Sequence, residues 1–305
     1  MDEMTRLADF RSGTAPMSAK ARFRGRQQLM DGIAGRQSAP AGRGVLRSRR
    51  VLVAAAMTMA ITGGLVGTQI VGPGAGESSA EAVSALNLAA DALADLAAKT
   101  PTPRPDQFLY TEVLHTTGSP KDTTVSEGWR SVDGSKAGVY RSTGAYENSG
   151  QIDPYPASGT ILNSSYLELA KLPTDPDKLL AILDKDPAVL SDEQGNGTKH
   201  EVAVWGVVRD LIDGAVPPAQ EAALFRAAAK LPHISYVRQA TDATGREGEA
   251  VSMVDPRVGA IQLILDRQTH TFLGERVLGK NDDAVQFNSA LRRTAFVDQA
   301  YQQPS

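Results

Sequence analysis

The hydrophobic pattern changes character four times along the chain. From Val51 to Val71 there are 21 residues without a charged side chain. As a helix this run would be about 31 Å long, the thickness of a bilayer's hydrocarbon core. Arg43, Arg47, Arg49 and Arg50 precede it, whereas no basic residue follows until Lys99. That asymmetry predicts a single transmembrane helix with its N-terminus in the cytoplasm and everything after it outside. The run exceeds the apolar core of a signal peptide, so it reads as an uncleaved anchor.

Ahead of the anchor, Met4, Leu7 and Phe10 suggest one short amphipathic helix. Ala19 to Ile33 suggests a second, which carries Lys20, Arg22, Arg24 and Arg26. Beyond the anchor, Val83, Leu86, Leu88, Ala90, Leu93, Ala94, Leu96 and Ala97 recur at helical spacing until Pro101, Pro103 and Pro105 end the pattern. The period then shortens. Phe108 to Thr116, Thr123 to Val132 and Lys136 to Thr143 predict three antiparallel strands, the last two joined at Asp133-Gly134. Residues 144 to 165 are polar, hold Tyr146 and Tyr155, and read as a long loop.

Pro173-Thr-Asp-Pro-Asp177 looks like a helix cap, with Thr174 or Asp175 accepting from free backbone N–H groups and Pro176 in the first turn. Helices are predicted after it, over His200 to Ile212 and over Pro218 to Leu231. Strand patterns return at Ile234 to Thr241, Glu247 to Val254, Gly259 to Leu265 and Thr271 to Leu278, with a last strand over Ala290 to Ala300. The order of helix, strands, helices, strands predicts an α+β fold, in which an antiparallel curved sheet carries helices on one face, preceded by one transmembrane helix.

Charge sharpens this division. The net charge of -3 hides a first 50 residues with 11 Lys and Arg against 4 Asp and Glu, a balance of +7, and a remainder at -10. The chain therefore divides into a basic cytoplasmic tail (1–50), the transmembrane helix (51–71), an external helix and linker (72–105) and an exported α+β domain (106–305). A basic tail beside the cytoplasmic leaflet suits anionic lipid or a cytoplasmic protein. It shows no helix-turn-helix spacing, so nucleic acid is not an expected partner.

The sequence nominates no catalytic, cofactor-binding or metal-binding residue. There is no cysteine, which removes disulfides, thiolate chemistry and Cys-ligated metals. His115, His200, His233 and His270 lie far apart without metal-ligand spacing and read as structural or surface residues. No nucleophile elbow, phosphate loop or dinucleotide turn occurs. The carboxylates Asp175, Asp177, Asp184 and Asp186 read as caps and surface charge rather than a cation site. Asp192-Glu193 and Asp282-Asp283 read as solvated turn charges rather than a glycosidase pair. No enzyme activity and no cofactor are expected.

Three stretches carry a family likeness: Tyr166-Leu-Glu-Leu-Ala-Lys-Leu-Pro-Thr-Asp-Pro-Asp-Lys-Leu-Leu180, Glu221-Ala-Ala-Leu-Phe-Arg-Ala-Ala-Ala-Lys-Leu-Pro232, and Leu265-Asp-Arg-Gln-Thr-His-Thr-Phe-Leu-Gly-Glu-Arg276. With the opening Met1-Asp-Glu-Met and the Arg-flanked anchor, they resemble an uncharacterised actinobacterial family of single-pass membrane proteins often encoded beside extracytoplasmic-function sigma factors. The resemblance implies placement in the cell membrane and a link to sigma-factor signalling, and supplies no reaction. The expectation is a membrane-anchored sensory or regulatory protein whose exported domain binds a ligand or partner. The alternative is a membrane-tethered extracytoplasmic carrier or scaffold for lipid or envelope protein.

Overall fold

The computed structural model describes residues 70–71, 78–154, 159–280 and 284–304. The expected basic tail, the expected membrane helix as far as residue 69, Tyr155 and Asp282-Asp283 lie outside them. Among the described residues no helix is long and apolar enough to cross a membrane. Ile70–Val71, the last two residues of the expected anchor segment, form a two-residue strand, β1. Both residues are β-branched, and β1 pairs antiparallel with a later strand through Ile70↔Val237 and Val71↔Tyr236.

Helix α1 (Ala80–Ala97) follows. Ser79 caps it, its side chain accepting from Ala82 N at 3.0 Å, and Ala82, Ala85, Leu86, Ala89, Ala90 and Leu93 form its buried stripe. The stripe packs on a helix from the middle of the chain and joins the main core, so α1 is integral to the folded body. Strands β2 (Phe108–Thr117), β3 (Ser119–Ser131) and β4 (Gly138–Gly144) match the predicted meander.

The expected long loop over 144–165 is corrected. It contains β5 (Asn148–Ile152), paired with β4 from Ser142↔Asn148 to Gly138↔Ile152, and a 3-10 turn over Ile161–Asn163. Gly150 lets the Tyr140 ring lie close over β5, since a Cβ there would be 2.8 Å from the ring and would have to displace it. An edge strand this polar has no alternating apolar signal to betray it.

Five helices then occupy the connection to the second half of the sheet: α2 (Tyr166–Leu169), α3 (Pro176–Leu183), α4 (Pro187–Asn196), α5 (His200–Asp213) and α6 (Pro218–Ala228). Asp175 is the cap of α3, accepting from Asp177 N and Lys178 N, with Pro176 at the first helical position. Helix α4 was not expected, since it buries only Val189 and has no apolar stripe. Its Asp186 cap at one end and the left-handed Gly197 at the other define it instead.

The second meander is β6 (Ser235–Thr241), β7 (Glu247–Asp255), β8 (Gly259–Leu265), β9 (Phe272–Gly279) and β10 (Val285–Val297). The last strand starts and ends earlier than the expected 290–300, because Asp298 to Tyr301 fold back as a turn held by the Gln302 side chain, which accepts from Asp298 N and Gln299 N. The ten strands among the described residues form one antiparallel sheet in the order β1-β6-β7-β8-β9-β10-β2-β3-β4-β5. The two meanders therefore meet at β10 and β2, and the helical connection runs from one edge of the sheet to the other.

One face of the sheet and the helices share a core: Val251, Met253, Ile261, Leu263 and Val277 pack with Trp205, Val208, Leu224, Phe225 and the α1 stripe. Each such aliphatic side chain stabilises the fold by roughly 1.5–3 kcal/mol when fully buried. The second meander curls toward the opposite face. Its β6–β7 turn reaches across to β10, with Ala243 N donating to Ser289 O at 3.3 Å and Asn288 Nδ2 donating to Thr241 O at 3.1 Å. Inside the curl lie Val237, Ala240, Ala250, Ile264 and Leu273.

Candidate functional site

Most of the residues singled out along the chain disperse. Asp177 pairs with Lys230, Asp186 caps α4, and Asp192 receives Arg257 at 3.0 and 3.3 Å. His115 packs beside Phe287 on the sheet, and His233 and His270 occupy turns with positive φ. Tyr146 is exposed. Among the described residues, no group of three or more His, Asp or Glu side chains is arranged to hold a metal ion.

One juxtaposition was invisible in the sequence. His200, the first residue of α5, lies between Glu193 of α4 (Nδ1 to Oε1, 2.5 Å) and Asp184 at the end of α3 (Nε2 to Oδ1, 3.0 Å). Burial pulls the imidazole pKa down, but hydrogen bonds and charge from Glu193 and Asp184 outweigh it and hold the value above the usual one. A raised folded-state pKa means that protonated His200 stabilises the fold. That contribution is fully present below about pH 6.5 and is lost as pH rises through the higher folded value. With the side chain 48% exposed, the effect is modest. Unfolding midpoints measured at pH 6 and pH 8 are expected to differ more in the wild type than in His200→Gln; equal differences would rule the clamp out.

A groove of about 530 Å³ runs between α1 and strands β6 and β7, lined by Glu81, Ser84, Leu88, Tyr236, Arg238 and Glu249 with the small Ala80 and Ala85. Helical spacing sets 80, 84 and 88 on one strip of α1. Ser78 Oγ donates to Leu231 O and Ser79 N to Ile234 O, which fixes the start of α1 against the chain entering β6. Leu88 is 44% exposed there, a large apolar side chain facing solvent beside charged ones. On the floor, Tyr236 donates to Glu249 Oε2 at 2.6 Å, while His270 Nδ1 lies 4.0 Å from Glu249 Oε1. Burial, then Glu249, pushes the Tyr236 phenol up to about 12, so the hydroxyl stays protonated and serves as a fixed donor rather than a nucleophile.

The groove lies beside β1. Tyr236, which lines it, is also the residue paired with Val71. Sequence reasoning missed Tyr236 and Glu249, because both sit in ordinary strand patterns and meet only through the β6–β7 pairing.

Beneath the helices the arrangement is different. The cleft between α5 and strands β2 and β3 measures about 40 Å³ and is lined by Leu109, Arg130, Tyr166, Asp210 and Leu211 among others. Nearby, Arg209 of α5 reaches the sheet and pairs with Glu275 of β9 at 3.4 Å and Asp210 at 3.1 Å. Burial lowers the Arg209 pKa, but Glu275 and Asp210 more than reverse it, so the guanidinium is held charged. A further charged array crosses the outer half of the sheet. Glu112 and Glu127 stand opposite each other, the Tyr110 hydroxyl lies 3.0 Å from a carboxylate oxygen of each and shares its one proton between them, and Arg292 and Arg141 close the two ends.

No family model matches the chain, and no curated protein matches it. Solved structures do. The chain is similar to a crystal structure of MucB (14% identity, 74% of this chain and 61% of that one, TM-score 0.30). It is also similar to a crystal structure of MucB in complex with MucA(peri) (12% identity, 73% and 57%, TM-score 0.28). A third is the complex structure of Pseudomonas aeruginosa MucA/MucB (12% identity, 74% and 59%, TM-score 0.29). All three likenesses are loose, and this chain spans about three-fifths of the length of those it matches.

Proposed function

We propose that the chain is a membrane-anchored sensory or regulatory protein whose extracytoplasmic domain binds a protein partner in the α1–β6 groove, with its basic tail linked to sigma-factor signalling. The observation that carries this reading is the position of the groove. It adjoins β1, the point where the chain arrives from the segment read as the anchor, so an occupant would press on the very strand that leads to the membrane. An open groove mixing Leu88 and Tyr236 with Glu81, Arg238 and Glu249 suits a polypeptide, which offers both apolar side chains and charges.

The carrier alternative needs a wide apolar cleft. The cleft under the helices is about 40 Å³, well below the ~300–1,000 Å³ of ordinary ligand pockets, and Arg130 and Asp210 line it. The packed core of Trp205, Phe225, Met253 and Leu263 occupies the layer where an acyl chain would lie.

Affinity capture of the full-length protein from membranes tests the proposal. A sigma factor or other cytoplasmic protein is expected with the intact chain and absent after deletion of residues 1 to 42. Leu88→Arg, a change at an exposed helical position, is expected to reduce capture of the extracytoplasmic partner at least tenfold, roughly the effect of losing one apolar anchor. Identical capture by all three forms would sink the regulatory reading.

A further inference from the structure

Arginine is seldom buried without a carboxylate beside it, because an uncompensated charge in a dry site is costly. Arg276 of β9 is such a residue. It is 7% exposed, its Nε donates to Gln262 Oε1 at 2.9 Å, and its Nη2 is buried with no hydrogen-bond partner. No described carboxylate forms an ion pair with it, and burial alone moves its pKa, downward.

Two more unmet donors stand alongside. The register pairs Ser252 of β7 with Gln262 of β8, and Gln262 with Arg276. The three side chains therefore leave the same face in one row, each about 4.8 Å from the next strand's. Ser252 and Gln262 are both buried, and Ser252 Oγ and Gln262 Nε2 have no partner. The row lies within the curl of the second meander, on the face opposite the groove.

Its two flanks differ. On one side the next row, Val237, Ala250 and Ile264, is an apolar plug. On the other, the row Val254, Ala260, Leu278 and Val285 ends in two exposed side chains, Val254 at 58% and Val285 at 42%. The donors thus sit one residue step inside an open rim.

We propose that Ser252, Gln262 and Arg276 form a binding site for a single carboxylate group entering from the Val254–Val285 rim. One guanidinium and two neutral donors match one negative charge, with the planar fork of arginine suited to a carboxylate. Asn288, the next residue in the row, spends its Nδ2 on Thr241 and presents an unmet Oδ1, an acceptor that repels a second charged oxygen. A phosphate dianion is therefore the poorer ligand. The site is independent of the groove and of whatever occupies it.

Thermal unfolding of the full-length protein in detergent micelles at pH 7, in sodium acetate against sodium chloride at equal ionic strength, tests the site. Acetate is expected to raise the wild-type midpoint by about 2–4 °C, since a ligand of the folded state stabilises by mass action. Arg276→Met is expected to abolish that shift and, in chloride, to unfold above the wild type, because it removes the uncompensated charge. No acetate shift in the wild type, an equal shift in Arg276→Met, or a larger shift in sodium phosphate would each overturn the proposal. Should Arg276→Met fail to fold, Ser252→Ala must reduce the acetate shift, and an unchanged shift overturns it equally.

Discussion

Glu275→Ala is expected to destabilise the fold by about 3 kcal/mol, the low end of what breaking a buried ion pair costs. Glu275 is 1% exposed, and it pairs with Arg209, which is itself largely buried between α5 and the sheet. Removing the carboxylate takes away the nearest charge on the sheet and leaves the guanidinium only acids of its own helix, Asp210 at 3.1 Å and Asp213. Arg209 cannot escape by losing its proton, so the whole penalty falls on stability. The double variant Arg209→Met/Glu275→Leu separates the pair's contribution from the cost of orphaning one partner. It is expected to recover most of the loss, because apolar side chains of similar volume replace a buried pair with little net change. Urea denaturation of the two variants measures both, and a double variant no more stable than Glu275→Ala would show that the pair does more than compensate itself.

Asp186→Ala carries a comparable expected loss, about 3 kcal/mol, for a different reason. One carboxylate satisfies three donors: Thr160 Oγ1 at 2.6 Å, Ile161 N at 2.7 Å and Ala188 N at 2.8 Å. Ala188 N belongs to the start of α4, so the helix loses its cap, worth about 1 kcal/mol. The other two donors lie on the 3-10 turn after β5, and leaving the buried Ile161 amide unpaired costs about 1–3 kcal/mol more. Hydrogen exchange is expected to quicken at both Ile161 and Ala188. Quickening at Ala188 alone would reduce Asp186 to an ordinary cap.

These two residues mark where the sequence could be read and where it could not. The Pro173-to-Asp177 cap, α5, α6 and the strands flanking Asp133-Gly134 were legible because each is a local pattern: a capping side chain, a 3.6-residue period, a turn pair. Helix α4 was not, since only Val189 is buried and Asp186 works by reaching 26 positions back to Thr160. Strand β5 was hidden by its polarity, its fit depending on Gly150 beneath Tyr140. The site residues were less legible still. Glu275 and Arg276 are adjacent, yet pleating sends one to the helix layer and the other into the curl, and no local signal distinguishes them. What hinted at both was a pair of charges inside Phe272–Gly279, a strand with almost no exposed position. Tyr236, Glu249 and His270 meet only through strand pairing, and His200 finds Asp184 and Glu193 only because three short helices turn back on one another.

The seam between the two meanders has a temporal meaning. Strand β2 is among the earlier strands of the folded body to be synthesised, and β10, which pairs along its whole length, is the last of the described strands, with Phe108 opposite Val297. Until the final strand arrives, β2 presents ten residues of open backbone edge, a template for any extended chain nearby. Loop closure across nearly the whole body must precede that pairing, which slows it. A nascent chain halted anywhere before Val285 would therefore be a half-sheet with its centre exposed, and its safest company would be a chaperone that binds extended strands.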